Sequence, residues 1–205
     1  MTRGAATRTG GGVAAVVPAA GRSTRFGTMK LLADAGGAPL LERTLKSLLD
    51  AGIPRVVVVT RDKEAFEGVR SLGDARVTTV VNPDPARGMF SSVQTGLTVA
   101  GGDIVLVLPA DMPFVAADTV AAIAERAAAT GSVVVPVHAG RRGHPIAMPR
   151  ALCEWLVALE PTTTLKEALT ASAASIVLLD VPDVGVLRDV DVPADLSLAD
   201  PWTAI

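Results

Sequence analysis

Between Gly21 and Lys30 the chain places Arg22, Ser23, Arg25 and Gly27, directly behind the apolar run 13–17 and the Pro18-Ala19-Ala20 tripeptide. Glycines let backbone N–H groups approach an anion closely, and Arg25 and Lys30 supply the positive charge that a polyphosphate requires. The spacing is not a Walker A loop, because Gly27 is not followed by Lys-Ser or Lys-Thr, and no G-x-G-x-x-G dinucleotide fingerprint is present. A glycine-rich loop of this kind, taken alone, is equally a solvated turn with incidental charges. The spacing to Lys30 favours the phosphate reading.

Other residues with chemical capacity lie far along the chain. Asp111 follows the apolar run 104–108 by three residues and is itself followed by Pro113, so its carboxylate is expected to emerge at the same sheet edge as the glycine loop, where a metal could sit. An isolated Asp before a turn also fits an Asx-turn or a cap. Gly88-Met89-Phe90-Ser91-Ser92 predicts a helix start, with Ser91 or Ser92 as its cap and N–H groups left for an anion. Arg141-Arg142-Gly143-His144-Pro145 offers adjacent arginines suited to phosphate, or else a solvated hairpin tip with His144 packed on Pro145. Asp189, Asp191 and Asp195 form an acidic cluster in which Asp195, just after Pro193, fits the first turn of a helix. His138 has no motif around it, and Cys153 falls in an apolar helical pattern; both read as structural.

These residues need a scaffold, and the hydrophobic pattern supplies one. Nearly all-apolar β-branched runs at 13–17, 55–60, 76–81, 104–108, 132–137 and 175–180 predict buried parallel strands. Helical spacing alternates with them: Leu40, Leu41, Thr44, Leu45, Leu48 and Leu49 mark one helix face, stopped by Gly52 and Pro54, and further helices are predicted over 91–99, 116–130, 150–159 and 165–172. The alternation is the βαβ signature of a single-domain, Rossmann-like three-layer α/β/α sandwich with a mostly parallel sheet. Only 3% of the residues are aromatic against 49% apolar, so the core must be aliphatic. Residues 1–11 read as a flexible tail before a domain spanning 12–205. Charges sum to −2 with no basic stripe, which argues against nucleic acid as a partner. No apolar stretch nears the length needed to cross a membrane. The single cysteine excludes an internal disulfide and a multi-cysteine metal site, and suits a reducing cytoplasm.

Gly21 to Lys30 reads G-x-S-x-R-x-G-x-x-K after Ala19-Ala20, and in this it resembles the MobA-like nucleotidyltransferases, which include the molybdenum cofactor cytidylyltransferases and guanylyltransferases. The resemblance continues through Asn82-Pro83-Asp84, Gly88 to Val93, Leu108 to Pro113 and a closing D-x-D-x-P-x-D-L at Asp189 to Leu196, and covers about residues 13–198. It implies a nucleotide-diphospho-sugar transferase-like fold. It also implies Arg25, Lys30 and Asp111 as catalytic residues, and a nucleotide site formed by Ala19, Ala20, Gly21, Arg22, Ser23, Arg25, Lys30, Asn82, Ser91, Ser92 and Asp111. Mg²⁺ would be held by Asp111 and Asp191, the latter favoured over Asp189. Arg141 to Pro145 match the G-R-x-G-H-P segment that faces the second substrate, a small phosphorylated acceptor such as molybdopterin, which implies Arg142, Gly143, His144 and Pro145 as acceptor-binding residues, and contact with a molybdoenzyme is a further implication. Pro-Ala-Ala-Gly resembles the pyrimidine-specific members, so CTP is the expected donor and GTP the second choice.

One segment departs from the pattern. Where cofactor cytidylyltransferases carry a G-D-x-G-A-R-like loop, this chain reads Pro161-Thr162-Thr163-Thr164-Leu165-Lys166-Glu167-Ala168, which leaves the acceptor open. Two alternatives stand beside transfer: an NAD(P)H-dependent oxidoreductase on the same fold, since a few MobA-like sequences carry names such as nicotine blue oxidoreductase, and a noncatalytic module that binds nucleotide or cofactor.

Overall fold

The computed structural model describes residues 12–21, 30–32, 34–35, 37–62, 73–160 and 163–197. Among the described residues eight strands form one sheet: β1 (Val13–Pro18), β2 (Val56–Thr60), β3 (Val77–Val81), β4 (Ile104–Val107), β5 (Val133–His138), β6 (Arg141–Arg142), β7 (Ile146–Pro149) and β8 (Ile176–Asp180). Five α-helices are described: α1 (Leu40–Asp50), α2 (Met89–Ala100), α3 (Ala117–Thr130), α4 (Arg150–Val157) and α5 (Leu165–Ala171). The strand order is β3-β2-β1-β4-β7-β5, with β8 parallel on one edge of β5 and β6 antiparallel to its end. β7 runs antiparallel to both β4 and β5, so β5 points the same way as β1 to β4.

Alternation along each strand builds two separate cores. Ala15, Val17, Val56, Val58 and Leu106 face Leu41, Leu45 and Leu48 of α1 and Val120 and Ile123 of α3. Ala14, Val16, Val57, Val59 and Val107 face Phe90, Val93 and Leu97 of α2, Leu152 and Leu156 of α4 and Leu169 of α5. Each inner strand is therefore covered on both sides, which is why it reads as a continuous apolar run.

Polar contacts lock the layers. α1 ends where the sequence predicts: Ile53 N–H donates to the Leu48 carbonyl at 3.1 Å, with Gly52 at φ +77°. The buried Thr44 hydroxyl donates to the Ala110 carbonyl at 2.9 Å, joining α1 to the turn that carries Asp111. Buried Gln94 donates to the carbonyls of Leu156 at 2.9 Å and Leu159 at 2.7 Å, closing the end of α4. Thr164 and Glu167 form a reciprocal capping box at the start of α5.

Two expectations need correction. Residues 141–149 contribute β6 and β7, which the reading of strands omitted: two exposed arginines and a stretch broken by Pro145 and Pro149 carry no β-branched run. The start of α2 is not capped by serine. Its N-cap is Gly88 and no side chain caps it, because the Ser91 hydroxyl donates to the Gly88 carbonyl at 2.7 Å instead of facing the N–H groups.

Gly96 lies where α2 crosses β1, and a Cβ there would collide with the side chain of Val16. Val16 is fully buried, and a β-branched side chain has little rotameric freedom with which to yield. Gly96→Ala is therefore expected to lower stability by about 1–3 kcal/mol, measured by urea unfolding; a variant as stable as the parent would contradict this packing.

Candidate active site

Parallel strands deliver their carboxyl ends to one edge, and the chain reaches β1's two neighbours, β2 and β4, by separate routes. The loops after β1 and β4 thus flank a topological switch point, where open α/β sheets leave a crevice. Ala110 N–H donates to the Pro18 carbonyl at 3.3 Å, so these two loops lie side by side, and Ala19 N–H donates to the Val59 carbonyl of β2 at 2.8 Å. Ala19 and Ala20 are buried at this edge and Gly21 is exposed.

Lys30 stands over this crevice at the start of a short 3-10 turn, Lys30–Leu32. Its Nζ donates to Asp111 Oδ2 at 3.0 Å and to Asp191 Oδ1 at 3.3 Å. The residue is 9% exposed, whereas the side chains of Asp111 and Asp191 are 31% and 59% exposed. A buried ammonium with a single exposed partner would be poorly compensated, and two carboxylates offset its desolvation. The carboxylates keep the open side, so oxygen atoms face the crevice.

The last described segment brings Asp191 there. Asp183 accepts from Ala116 N–H at 2.9 Å and Gly185 N–H at 2.8 Å, anchoring the segment beside the start of α3. Val186 carbonyl accepts from His144 N–H at 2.9 Å, and Val190 N–H donates to the Asp111 carbonyl at 2.9 Å. Arg188 lies over the Phe114 ring, 4.1 Å from its centroid. Asp195 then holds the turn by accepting from Asp191 N–H at 2.7 Å and Val192 N–H at 2.8 Å. These two N–H groups, Val192 foremost, keep the Asp195 carboxyl below its ordinary value.

Toward β3, Asn82 organises the loop that leads into α2. Its amide donates to Ser91 Oγ and Ser92 Oγ, both at 2.9 Å, and its carbonyl oxygen accepts from Asp84 N–H at 2.9 Å. All three side chains are buried, so they shape this loop from inside, and Met89 is the residue exposed at its surface, at 60%.

On the far side, β5 and β6 form a hairpin through Ala139 and Gly140, both at positive φ, that projects from the same edge. Arg141 and Arg142 are exposed on it. Gly143 N–H donates to the Pro136 carbonyl, and a Cβ at this residue would strike the Val186 carbonyl oxygen. The His144–Pro145 peptide is cis. Burial lowers the His144 pKa, against smaller opposing effects of hydrogen bonding to the Val107 backbone and the charges of Asp111 and Asp189. Its Nδ1 is buried without a hydrogen-bond partner.

The MobA-like NTP transferase domain family matches residues 15–176. The chain belongs to that family. It is 25% identical over 186 residues to the molybdenum cofactor cytidylyltransferase of Escherichia coli K12, covering 90% of this chain and 93% of that protein. It is 28% identical over 197 residues to the "Probable molybdenum cofactor guanylyltransferase" of Natronomonas pharaonis, covering 90% of this chain and 95% of that protein. A crystal structure from Mycobacterium tuberculosis H37Rv, in complex with manganese, shares the fold at a TM-score of 0.69 and 24% identity, covering 95% of this chain and 96% of that chain.

Of the residues singled out in this MobA-like chain, Lys30, Asp111 and Asp191 meet directly, and Asp191 rather than Asp189 is the one paired with Lys30. Asn82, Ser91 and Ser92 meet one another at the same edge, while Arg142 to Pro145 lie across β7. Arg22, Ser23 and Arg25 lie outside the described residues, as does the 1–11 tail. His138 Nδ1 is 3.0 Å from the Val181 carbonyl, and burial pushes the Cys153 thiol up to about 12, so neither adds reactivity here. Sequence reasoning missed Asp183, Gly185 and the close approach at Gly143. The D-x-G at Asp183 to Gly185 is the signal that marks a tight turn.

Because the folded Asp195 carboxyl titrates below the 3.8 of a free one, the support it gives the turn is complete above that value and is lost as pH falls through the depressed one. Slow amide exchange at Asp191 and Val192 is expected at pH 5 and should be lost in Asp195→Ala at the same pH. Equal protection in the two chains would contradict the clamp.

Proposed function

We propose that this MobA-like protein transfers CMP from CTP to a phosphate-bearing acceptor such as molybdopterin, releasing pyrophosphate. The observation that carries the reading is the convergence of Lys30, Asp111 and Asp191 on one crevice at the switch point, beside the backbone of Ala19, Ala20 and Gly21. Family membership supports the transferase class. The Pro-Ala-Ala-Gly form of the loop and the E. coli relative favour CTP over GTP.

The donor set fits a hard divalent cation. Asp111 and Asp191 present carboxylate oxygens to a single cationic atom, and Mg²⁺ sites typically combine one or two carboxylates with substrate phosphates and water. Among the described residues no group of three or more His, Cys, Asp or Glu side chains is placed to hold a metal, which agrees with a site completed by the nucleotide. Manganese in the M. tuberculosis structure supports a divalent ion. Bound there, Mg²⁺ would neutralise phosphate charge and make the α-phosphorus more electrophilic.

An acceptor phosphate oxygen attacks the α-phosphorus, the α–β anhydride bond breaks, and pyrophosphate carries away the electron pair. The acceptor is already anionic, so no protein nucleophile is required and positioning with charge neutralisation does the work. Lys30 and Arg25 offset the charge of the triphosphate. Asn82, Ser91 and Ser92, bonded to one another inside the loop before α2, would hold the backbone that lies on the nucleoside side. Arg142, exposed on the hairpin, would take the acceptor's phosphate, and Gly143, His144 and Pro145 would fix the backbone behind it.

Pyrophosphate release from CTP, GTP, UTP and ATP, with Mg²⁺ and molybdenum-charged pterin cofactor, tests this directly. CTP is expected to react fastest, and Asp111→Asn to lose about 10²–10³-fold in kcat. If no triphosphate reacts with active cofactor, the acceptor is wrong or the chain is not this transferase. A bound flavin absorbance would move the reading to the oxidoreductase, and CTP binding without turnover to the noncatalytic module.

A further inference from the structure

Lys30 touches one oxygen of each of the two carboxylates that the proposed cation needs. Its Nζ is 3.0 Å from Asp111 Oδ2 and 3.3 Å from Asp191 Oδ1, and the residue is 9% exposed. A Mg²⁺ ion takes its oxygen ligands at about 2.1 Å, so an ammonium placed on the inner side of both carboxylates competes with it for oxygens and repels it. The three side chains sum to −1. Adding a divalent cation while the ammonium stays would leave +1 in a partly dry crevice, whereas a triphosphate supplies the missing negative charge.

The lysine stem is flexible and its charge is a compact point, free to exchange one set of oxygens for another. Phosphate oxygens arriving over Ala19 to Gly21 would offer that second set. From this juxtaposition, and resting on the metal and nucleotide reading above, we propose that Lys30 is the resident counter-ion of the Asp111–Asp191 pair. The triphosphate draws the ammonium away and opens the pair, so nucleotide and divalent cation bind as one coupled event and the cation alone binds weakly. Coupling of this kind is reciprocal: whatever factor the triphosphate adds to cation affinity, the cation returns to the triphosphate. The consequence for the site is selection against free metal, because the ammonium repels a lone cation from the carboxylates until the substrate is present.

Binding of Mn²⁺ alone, followed by the paramagnetic signal of free ion, tests this without turnover. Lys30→Gln is expected to bind Mn²⁺ about tenfold more tightly than the wild-type chain. Lys30→Arg, which keeps the charge, should stay close to wild type, and Asp111→Asn should abolish binding in every background. Circular dichroism establishes that each variant is folded. On the unaltered chain, adding CTP should raise Mn²⁺ affinity about tenfold or more, after correction for the CTP–Mn²⁺ complex in solution. Equal affinity of wild type and Lys30→Gln, with Asp111→Asn still abolishing binding, overturns the counter-ion role and leaves the metal reading intact. Mn²⁺ binding that ignores Asp111→Asn overturns both. If Lys30→Gln does not fold, absence of the CTP effect in the wild-type chain overturns the proposal by itself.

Discussion

One buried ammonium between two carboxylates ties together parts of the chain separated by 81 and 161 residues. Because Lys30 is almost fully excluded from water, its charge needs anionic oxygens beside it, and Asp111 and Asp191 supply them. That requirement reaches backward into the scaffold. Asp111 must follow β4 at the switch point, and Asp191 must be carried across the sheet edge by the segment after β8. The second placement is achieved by docking rather than by regular structure, through Asp183 on Ala116, Val186 on His144 and Val190 on Asp111.

Two glycines make this docking close. At Gly143 a side chain would meet the Val186 carbonyl, and at Gly185 it would meet that of Phe114. Backbone therefore packs directly on backbone, bringing the hairpin of β5 and β6 and the turn before α3 into contact with the same strap. The candidate nucleotide and acceptor sides of the MobA-like site share one connecting segment, although the antiparallel β7 separates them in the sheet.

Much of this was legible before any coordinates. The mostly apolar runs marked six strands: β1, β2, β4 and β5 are covered on both faces and have no polar alternation to hide, whereas β3 and β8, expected to be buried, are partly exposed at the sheet edges. The leucine face from Leu40 to Leu48, ended by Gly52, marked α1 nearly to the residue. Asp111 could be placed at the sheet edge from a strand end and a proline alone. What stayed hidden depends on tertiary contact. β6 and β7 exist because β4 and β5 offer edges to pair with, and Arg141, Arg142 and Pro149 give no local sign of it. Ser91 looked like a cap by position, yet Asn82, nine residues earlier, fixes the orientation of its hydroxyl. The glycines at 143 and 185 were visible, but not the carbonyls they admit.

The strap also sets an order of assembly in time. Asp191 leaves the ribosome 161 residues after Lys30, which at about 5–20 residues per second is a delay of about 8–30 s. Asp111 follows Lys30 by 81 residues, so for the latter half of that interval the emerging chain holds Lys30, its β1 to β4 edge and Asp111, while the second carboxylate is still unmade. A nascent chain therefore has no completed carboxylate pair until the segment after β8 has emerged, however well β1 to β4 have formed.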